Sequence, residues 1–215
     1  MELIKQLFDL ILHVDIYVDN WVHTYDTLTY LILFAIIFCE TGLVVTPFLP
    51  GDSLLFAAGA IAAKTDSPIS IFALIIILLI AAFFGDNTNF FIGRLIGKKV
   101  YEKDYKLIKK EYLNKTHAFY ERHGGKTLVI ARFMPIIRTF APFVAGVGTM
   151  KYLRFISFSI MGNILWVVSF LLAGFYFGQI DFVKRHFSLV IVSIIFVSIM
   201  PPVITVIRHK YFSKS

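Results

Sequence analysis

Cysteine is almost missing from this 215-residue chain: Cys39, set inside an apolar run, is the only one. A disulfide framework within the chain is thereby excluded, as is a thiolate zinc site, and Cys39 reads as a small buried hydrophobe. Charge is scarce as well. Asp, Glu, Lys and Arg make up 16% of the residues, against about 25% in soluble domains. Their place is taken by apolar side chains, 58% of the chain, with a mean hydropathy of +0.76. Soluble domains run about 45–50% apolar, so the excess exceeds what one soluble core of this length hides. No Walker loop, no HExxH and no Ser/His/Asp set is present. His117 and His123 stand six apart and do not have metal-ligand spacing. No catalytic residue, cofactor or metal is therefore expected. The first 27 residues lack an apolar stretch followed by a small-residue cleavage site, so no cleavable signal peptide is expected either.

What is present is an integral membrane protein written in short apolar runs. Residues 1–27 place Glu2, Gln6, Asp9, His13, Asn20 and Thr24 on one helical stripe, with Leu7, Leu10, Ile11, Val14, Val18 and Trp21 opposite. This predicts an amphipathic helix lying in the membrane interface. Residues 28–63 are strongly apolar but carry Glu40, Pro47, Pro50, Gly51 and Asp52. The arms 28–39 and 53–63 are each too short for a core of ~30 Å at 1.5 Å per residue. The segment predicts a helix, a break and a half-helix: a re-entrant hairpin, allowed at that depth where protein or water satisfies the backbone. Residues 69–93 predict a full span with one charge, Asp86, toward its end. Residues 94–126 hold ten of the 21 Lys and Arg against four acids, a net charge of +6, and predict a basic amphipathic helix stopped at His123-Gly124-Gly125. Residues 127–149, with Arg132, Pro135, Arg138 and Pro142, repeat the broken pattern. Uncharged spans follow at 155–178 and 187–207.

The two halves echo each other. FAAGAIA at 56–62 matches FVAGVGT at 143–149, aligning Gly59 with Gly146, and FFIG at 90–93 matches FYFG at 175–178. Each half reads as interfacial helix, broken hairpin and full span. The predicted fold is thus all-α, one membrane domain over 1–215, with an inverted repeat, two re-entrant hairpins, amphipathic interfacial helices and about three full spans. Secondary transporters with inverted repeats bind at the midplane, between broken helices.

Glu40, Asp52, Asp86, Arg132 and Arg138 are ionisable groups at or near membrane depth. Each costs roughly 2.5–3.5 kcal/mol at the centre of a spanning helix. A purely structural network of ion pairs is a poor reason to keep them, because buried ion pairs stabilise little relative to apolar packing. Asp52 or Ser53 is placed to cap the half-helix after Gly51, and Pro142 to open a second one. Half-helix N-termini favour anions, and arginine forks fit phosphate. The combination points to the phosphate of a lipid. The five groups together carry a net charge of −1. An added phosphate favours protonation of one acid, and Glu40 is the candidate, since burial and like charge raise a carboxyl pKa. The chain's net charge of +7 lies between apolar runs. It therefore points to anionic headgroups and not to nucleic acid.

These same blocks, FCETGLVVTPFLPGDSLLFAAGA, GDNTNFFIGRLIG and FYERHGGKTLVIARFMPIIRTFAPFVAGVGTM, resemble the signature segments of the DedA family, also called the SNARE-associated or VTT-domain family. The resemblance runs from ILHVDIYV to IRHK. It implies two re-entrant hairpins meeting in the bacterial cytoplasmic (inner) membrane. It also implies movement of a phospholipid such as phosphatidylethanolamine, or of undecaprenyl phosphate, between leaflets, often tied to the proton gradient. The family's functional acids fall on Glu40 and Asp52 and its arginines on Arg132 and Arg138. A homo-oligomer is compatible with all of this. One rival is a polyprenyl-pyrophosphate phosphatase-like enzyme, whose Pro-Gly-x-Ser loop Pro50-Gly51-Asp52-Ser53 superficially resembles. Leu54 stands where that loop has Arg, and Glu40 has no Glu partner four residues away. A second rival is a membrane protein with a purely structural role.

Lys and Arg bias sets orientation. It places the 94–126 segment and the basic C-terminus in the cytoplasm. Residues 64–68 and the N-terminal helix, with one Lys among five acids in residues 1–27, then lie outside. Cysteines introduced at Lys106 and Ser213 should resist an impermeant reagent added to intact cells and react after the membrane is opened. Labelling of either from outside would reverse the topology.

Overall fold

The computed structural model describes residues 13–43, 51–102, 125–148, 150–194, 196 and 200. Among them the regular structure is helical: α1 Val14–Tyr25, a 3-10 turn Asp26–Leu28, α2 Thr29–Gly42, α3 Gly51–Ala62, α4 Ile71–Glu102, α5 Lys126–Ala131, α6 Pro135–Val147, α7 Tyr152–Phe177 and α8 Asp181–Arg185. Among the described residues three stretches are long and apolar enough to cross a membrane: Val14–Gly42, Ile71–Lys98 and Tyr152–Phe177. Large apolar side chains such as Phe72, Ile76, Phe84, Leu153 and Ile164 stand exposed along them, as suits a surface facing lipid. The predicted span at 187–207 falls mostly outside the described residues, as do residues 1–12, most of the basic segment 94–126, and Pro47 and Pro50.

Two compact units share the chain. The first comprises Met1–Leu31, Pro50–Ile75 and Ser169–Ser215; the second comprises Ile32–Leu49 and Ile76–Val168. In the first, α1 buries Val14, Val18 and Val22, one stripe at i, i+4, i+8, and packs on α3. α3 is buried along almost its whole length. The N-terminal helix therefore differs from the interfacial reading: protein, not headgroups, covers its apolar stripe. It also continues through the 3-10 turn into α2, tied by the Thr29 hydroxyl donating to the Trp21 carbonyl at 2.8 Å.

In the second unit Phe90, Leu128, Ala131, Ala141, Ala145, Met150 and Phe155 form the core. The Phe90 and Phe155 rings stack at 4.2 Å. The boundary of α4 also corrects the expectation. Its apolar stretch ends near Gly93, but the helix runs on to Glu102, because lysine and arginine are good helix formers once they reach water. Hydropathy marks the edge of the membrane, not the end of the helix.

Both breaks need restating. α5 stops at Ala131, and Met134 is extended (φ −117°, ψ 105°) before Pro135 at the first turn of α6. Proline disfavours helical backbone in the residue before it and suits N1, so Pro135 opens this half-helix. Pro142, expected to do so, lies inside α6, where it cannot donate to the Arg138 carbonyl one turn back. In α3 the helix already includes Gly51, so Asp52 lies in the first turn. Neither Asp52 nor Ser53 is the cap.

Glycine sets the closest approaches. In the first unit a Cβ on Gly59 would overlap the Leu171 carbonyl and crowd the Phe175 amide, and one on Gly174 would overlap the Phe56 carbonyl. In the second, Gly146 meets the Phe90 carbonyl and the Arg94 amide, while Gly93 meets the Phe143 carbonyl. The same contact is built twice. Gly59 and Gly146 are 87 residues apart, while Gly93 and Gly174 are 81 apart. The alignment of FFIG with FYFG, which pairs Gly93 with Gly178, is thus displaced by one helical turn. Contacts, not letters, pair Gly93 with Gly174.

Gly59→Ala and Gly146→Ala should each lower the melting temperature of the detergent-solubilised protein, by a cost of about 1–3 kcal/mol typical of overpacking. Gly162→Ala should be tolerated, since its nearest neighbour would lie at an ordinary 3.4 Å. Equal stability of all three variants would remove the close-approach account.

Candidate functional site: a buried arginine–carboxylate cluster

Four of the expected site residues meet in the second unit. Their meeting starts with small residues: a Cβ on Gly42 would lie 3.1 Å from the Gly85 Cα, and one on Gly85 would overlap the Thr41 side chain. The backbones of α2 and α4 touch there, and the flanking residues are Glu40 and Asp86. Asn89, one turn along α4 and fully buried, holds the place. Its amide donates to the Thr41 carbonyl at 3.0 Å and to the Thr139 carbonyl of α6 at 2.6 Å. One side chain thus ties three helices together.

Arg132 stands at the end of α5 and Arg138 in the second turn of α6. Each is 3% exposed, and Glu40 and Asp86 are 1% exposed. Arg132 grips Asp86 with both prongs, Nη1 to Oδ1 at 2.8 Å and Nη2 to Oδ2 at 2.5 Å. Ser159 donates to Asp86 Oδ2, and Asn163 does so at 3.3 Å. Arg138 Nη2 pairs with Glu40 Oε1. Under both guanidinium groups lies the Trp166 ring, with Arg138 Cζ 4.6 Å and Arg132 Cζ 5.5 Å from its centroid. An indole face attracts cations, more so when water is absent. The four ionised groups balance in charge, which is the condition for holding them at this depth.

Asp52 and Ser53 belong to the first unit, in the first turn of α3, at 5% and 1% exposed. The Ser53 hydroxyl is buried with no hydrogen-bond partner among the described residues. The hairpin residues Gly51, Pro135 and Gly146 take part as helix start, helix start and seam. Sequence reasoning passed over α7, read as an uncharged span, yet Ser159, Asn163 and Trp166 all serve the cluster. The signal was available: spaced at i, i+4, i+7, Ser159, Asn163 and the one tryptophan of the span share one helical face.

The cavity bordered by Asp86, Arg132, Arg138, Pro142 and Ser159 is only about 10 Å³, room for one water at most. A phosphate does not fit until something moves. Chemically, both guanidinium groups are engaged by carboxylates.

A VTT-domain family model matches residues 49–176. The chain belongs to the DedA family. It is 52% identical to Protein DedA of Escherichia coli K12 over 211 residues, 98% of this chain and 96% of that one. It is 42% identical to an uncharacterized membrane protein of Mycobacterium tuberculosis, covering 80% of this chain and 76% of that one. It is 30% identical to the inner membrane protein YghB of Escherichia coli K12, covering 92% and 96%. No solved structure matches it. With three span-capable helices, this DedA-family member is a multi-pass protein of the bacterial inner membrane.

Asp86→Asn should destabilise the detergent-solubilised protein by about 3–5 kcal/mol, because it leaves a buried guanidinium without its counter-charge. Asp86→Asn combined with Arg132→Met should recover most of that loss in a thermal melt. A double variant no more stable than the single one would show that the two charges do not depend on each other.

Proposed function

We propose that the protein moves a phosphate-bearing lipid between the leaflets of the cytoplasmic membrane, coupled to the proton gradient. The observation that carries this reading is the pair of buried arginines, each engaged by a carboxylate in a space too small for a phosphate. An arginine fork holds carboxylate and phosphate with the same geometry. A lipid phosphate that reaches Arg132 or Arg138 displaces an acid, and a displaced carboxylate in low dielectric takes up a proton. Exchange of partners is then the coupling step: phosphate on arginine with proton on acid, or acid on arginine with neither. Glu40 is the acid assigned to this exchange, because it closes the apolar arm of α2, whereas Asp86 accepts from Ser159 and Asn163 besides Arg132. The lipid is undecaprenyl phosphate or a phospholipid such as phosphatidylethanolamine, and no chemical conversion of it is required.

The architecture suited to this exchange is an inverted repeat. α3 and α6, about 18 and 20 Å long at 1.5 Å per residue, are too short to span, and each is read as the inner arm of a re-entrant hairpin. The twice-built glycine contact supports a repeat whose hairpin arms and long helices are offset by different amounts. Each half-helix starts within the apolar layer, where its N–H groups add to the attraction for an anion.

Reconstitution in vesicles of defined headgroup, with and without a pH gradient, tests the reading. Arg132→Lys and Arg138→Lys keep the charge but lose the fork. Lipid movement should fall about tenfold or more in each, the equivalent of ~1.4 kcal/mol, while the protein still inserts. Glu40→Gln should move lipid without response to the gradient. Wild-type rates in both lysine variants, or a normal gradient response in Glu40→Gln, would replace exchange with a static structural role.

A further inference from the structure

The ion-pair cluster of the second unit does not sit midway along its helices. Asp86 is eight residues before Arg94 on α4, about 12 Å of helix, and fifteen after the helix start at Ile71, about 22 Å. Ser159 is five residues after Arg154 on α7, about 8 Å, and eighteen before the helix end at Phe177, about 27 Å. Arg94, Lys98, Lys126, Lys151 and Arg154 all stand exposed on the near side. The basic bias of residues 94–126 makes that side the cytoplasmic one. The short way from the cluster to water therefore runs toward the cytoplasm.

Aromatic rings close that way. One turn from Asp86 toward the cytoplasm, on the same face of α4, is Phe90; one turn from Ser159, on the same face of α7, is Phe155. Both are fully buried, and their rings lie stacked at 4.2 Å with 18° between the planes. Phe155 also forms part of the wall of the ~10 Å³ cavity beside Asp86, Arg132 and Ser159, so the stack begins where the polar space ends. Tyr152, a further turn out, lies 6.0 Å from Phe90 and is pinned by its hydroxyl, which donates to Asn87 Oδ1 at 2.8 Å. The order from the cytoplasm is the same on both helices: cation, ring, oxygen. A buried ring satisfies packing anywhere along α4 or α7; these two fill the short path between the polar cavity and water.

We propose that Phe90 and Phe155 are the cytoplasmic gate of the cluster, a hydrophobic plug that keeps water from Asp86 until the rings part. Hydrophobic constrictions gate by dewetting, and a space opened beside Asp86, Arg132 and Ser159 has the polar partners that a water needs. The inference adds regulation to the site described above and rests on the transport reading for its use: a proton exchanged at the cluster has its shortest route to water through these rings. The closure itself does not depend on what is transported.

Thiol labelling in oriented membrane vesicles tests this. In a Cys39→Ala background, Ser159→Cys should react poorly with a small impermeant anionic thiosulfonate offered to either face. Adding Phe155→Ala should raise the reaction rate from the cytoplasmic face about tenfold or more, a barrier change of ~1.4 kcal/mol, and leave the outer face unreactive. Lys106→Cys in parallel vesicles marks the cytoplasmic face. Phe90→Ala should act in the same direction, which keeps the test open if Phe155→Ala does not insert. Leu78→Ala, an equally buried deletion on the outer side of Asp86 in α4, should leave Ser159→Cys protected. Ready labelling without a ring substitution, no rise in either ring variant, or an equal rise with Leu78→Ala overturns the gate. A rise confined to the outer face overturns it as well. This labelling pattern without lipid movement in reconstituted vesicles would remove the transport reading and leave the gate standing; lipid movement with labelling indifferent to both rings would do the reverse.

Discussion

Guanidinium groups cannot shed their charge, and two of them lie almost completely out of water in the second unit. Everything around them answers to that constraint. Two carboxylates supply the counter-charge, Trp166 supplies a π face, and Ser159 and Asn163 take up the lone pairs of Asp86 that Arg132 leaves over. An arrangement of this kind gains little stability over a well-packed apolar core. A guanidinium fork can donate to carboxylate or phosphate with the same geometry.

Helices can bring such groups together only if their backbones come close, and here small residues permit it. Gly42 against Gly85 lets α2 meet α4 beside Glu40 and Asp86, and the seams at Gly93 and Gly146 bring α6 onto α4. Asn89 then converts proximity into register by bonding to two helices at once. Membrane helices lack a hydrophobic drive to associate, so close packing and interhelical hydrogen bonds carry that task. The polar cluster and the glycine seams are parts of one solution.

Much of this was legible in the chain. The apolar runs located the spans in α4 and α7, because lipid imposes hydropathy on length, but not the one over Val14–Gly42, which was divided between an interfacial helix and a hairpin arm. Glu40, Asp86, Arg132 and Arg138 declared themselves by being charged where charge is costly, and four of the five such groups do meet. The partner assignments were not legible: nothing in the letters pairs Arg132 with Asp86 instead of Glu40, because that depends on helix rotation. Pro142 was misread since proline signals a helix start and a helix interior alike, and only the extended Met134 marks Pro135 as the start. The stripe of α1 was assigned to headgroups because an amphipathic pattern states that one face is covered without saying by what. Asn163 and Trp166 were overlooked because residues 155–178 carry no charged side chain to mark a polar face.

α4 runs unbroken from its first turn at Ile71 to Glu102. Asp86 to Glu102 is 16 residues, about 24 Å of continuous helix at 1.5 Å per residue. A helix this regular behaves as a shaft. A displacement of the helix at Asp86 is shared by Arg94 and Lys98 further along it. One continuous element therefore joins the Asp86 ion pair to the cations that follow it along the helix.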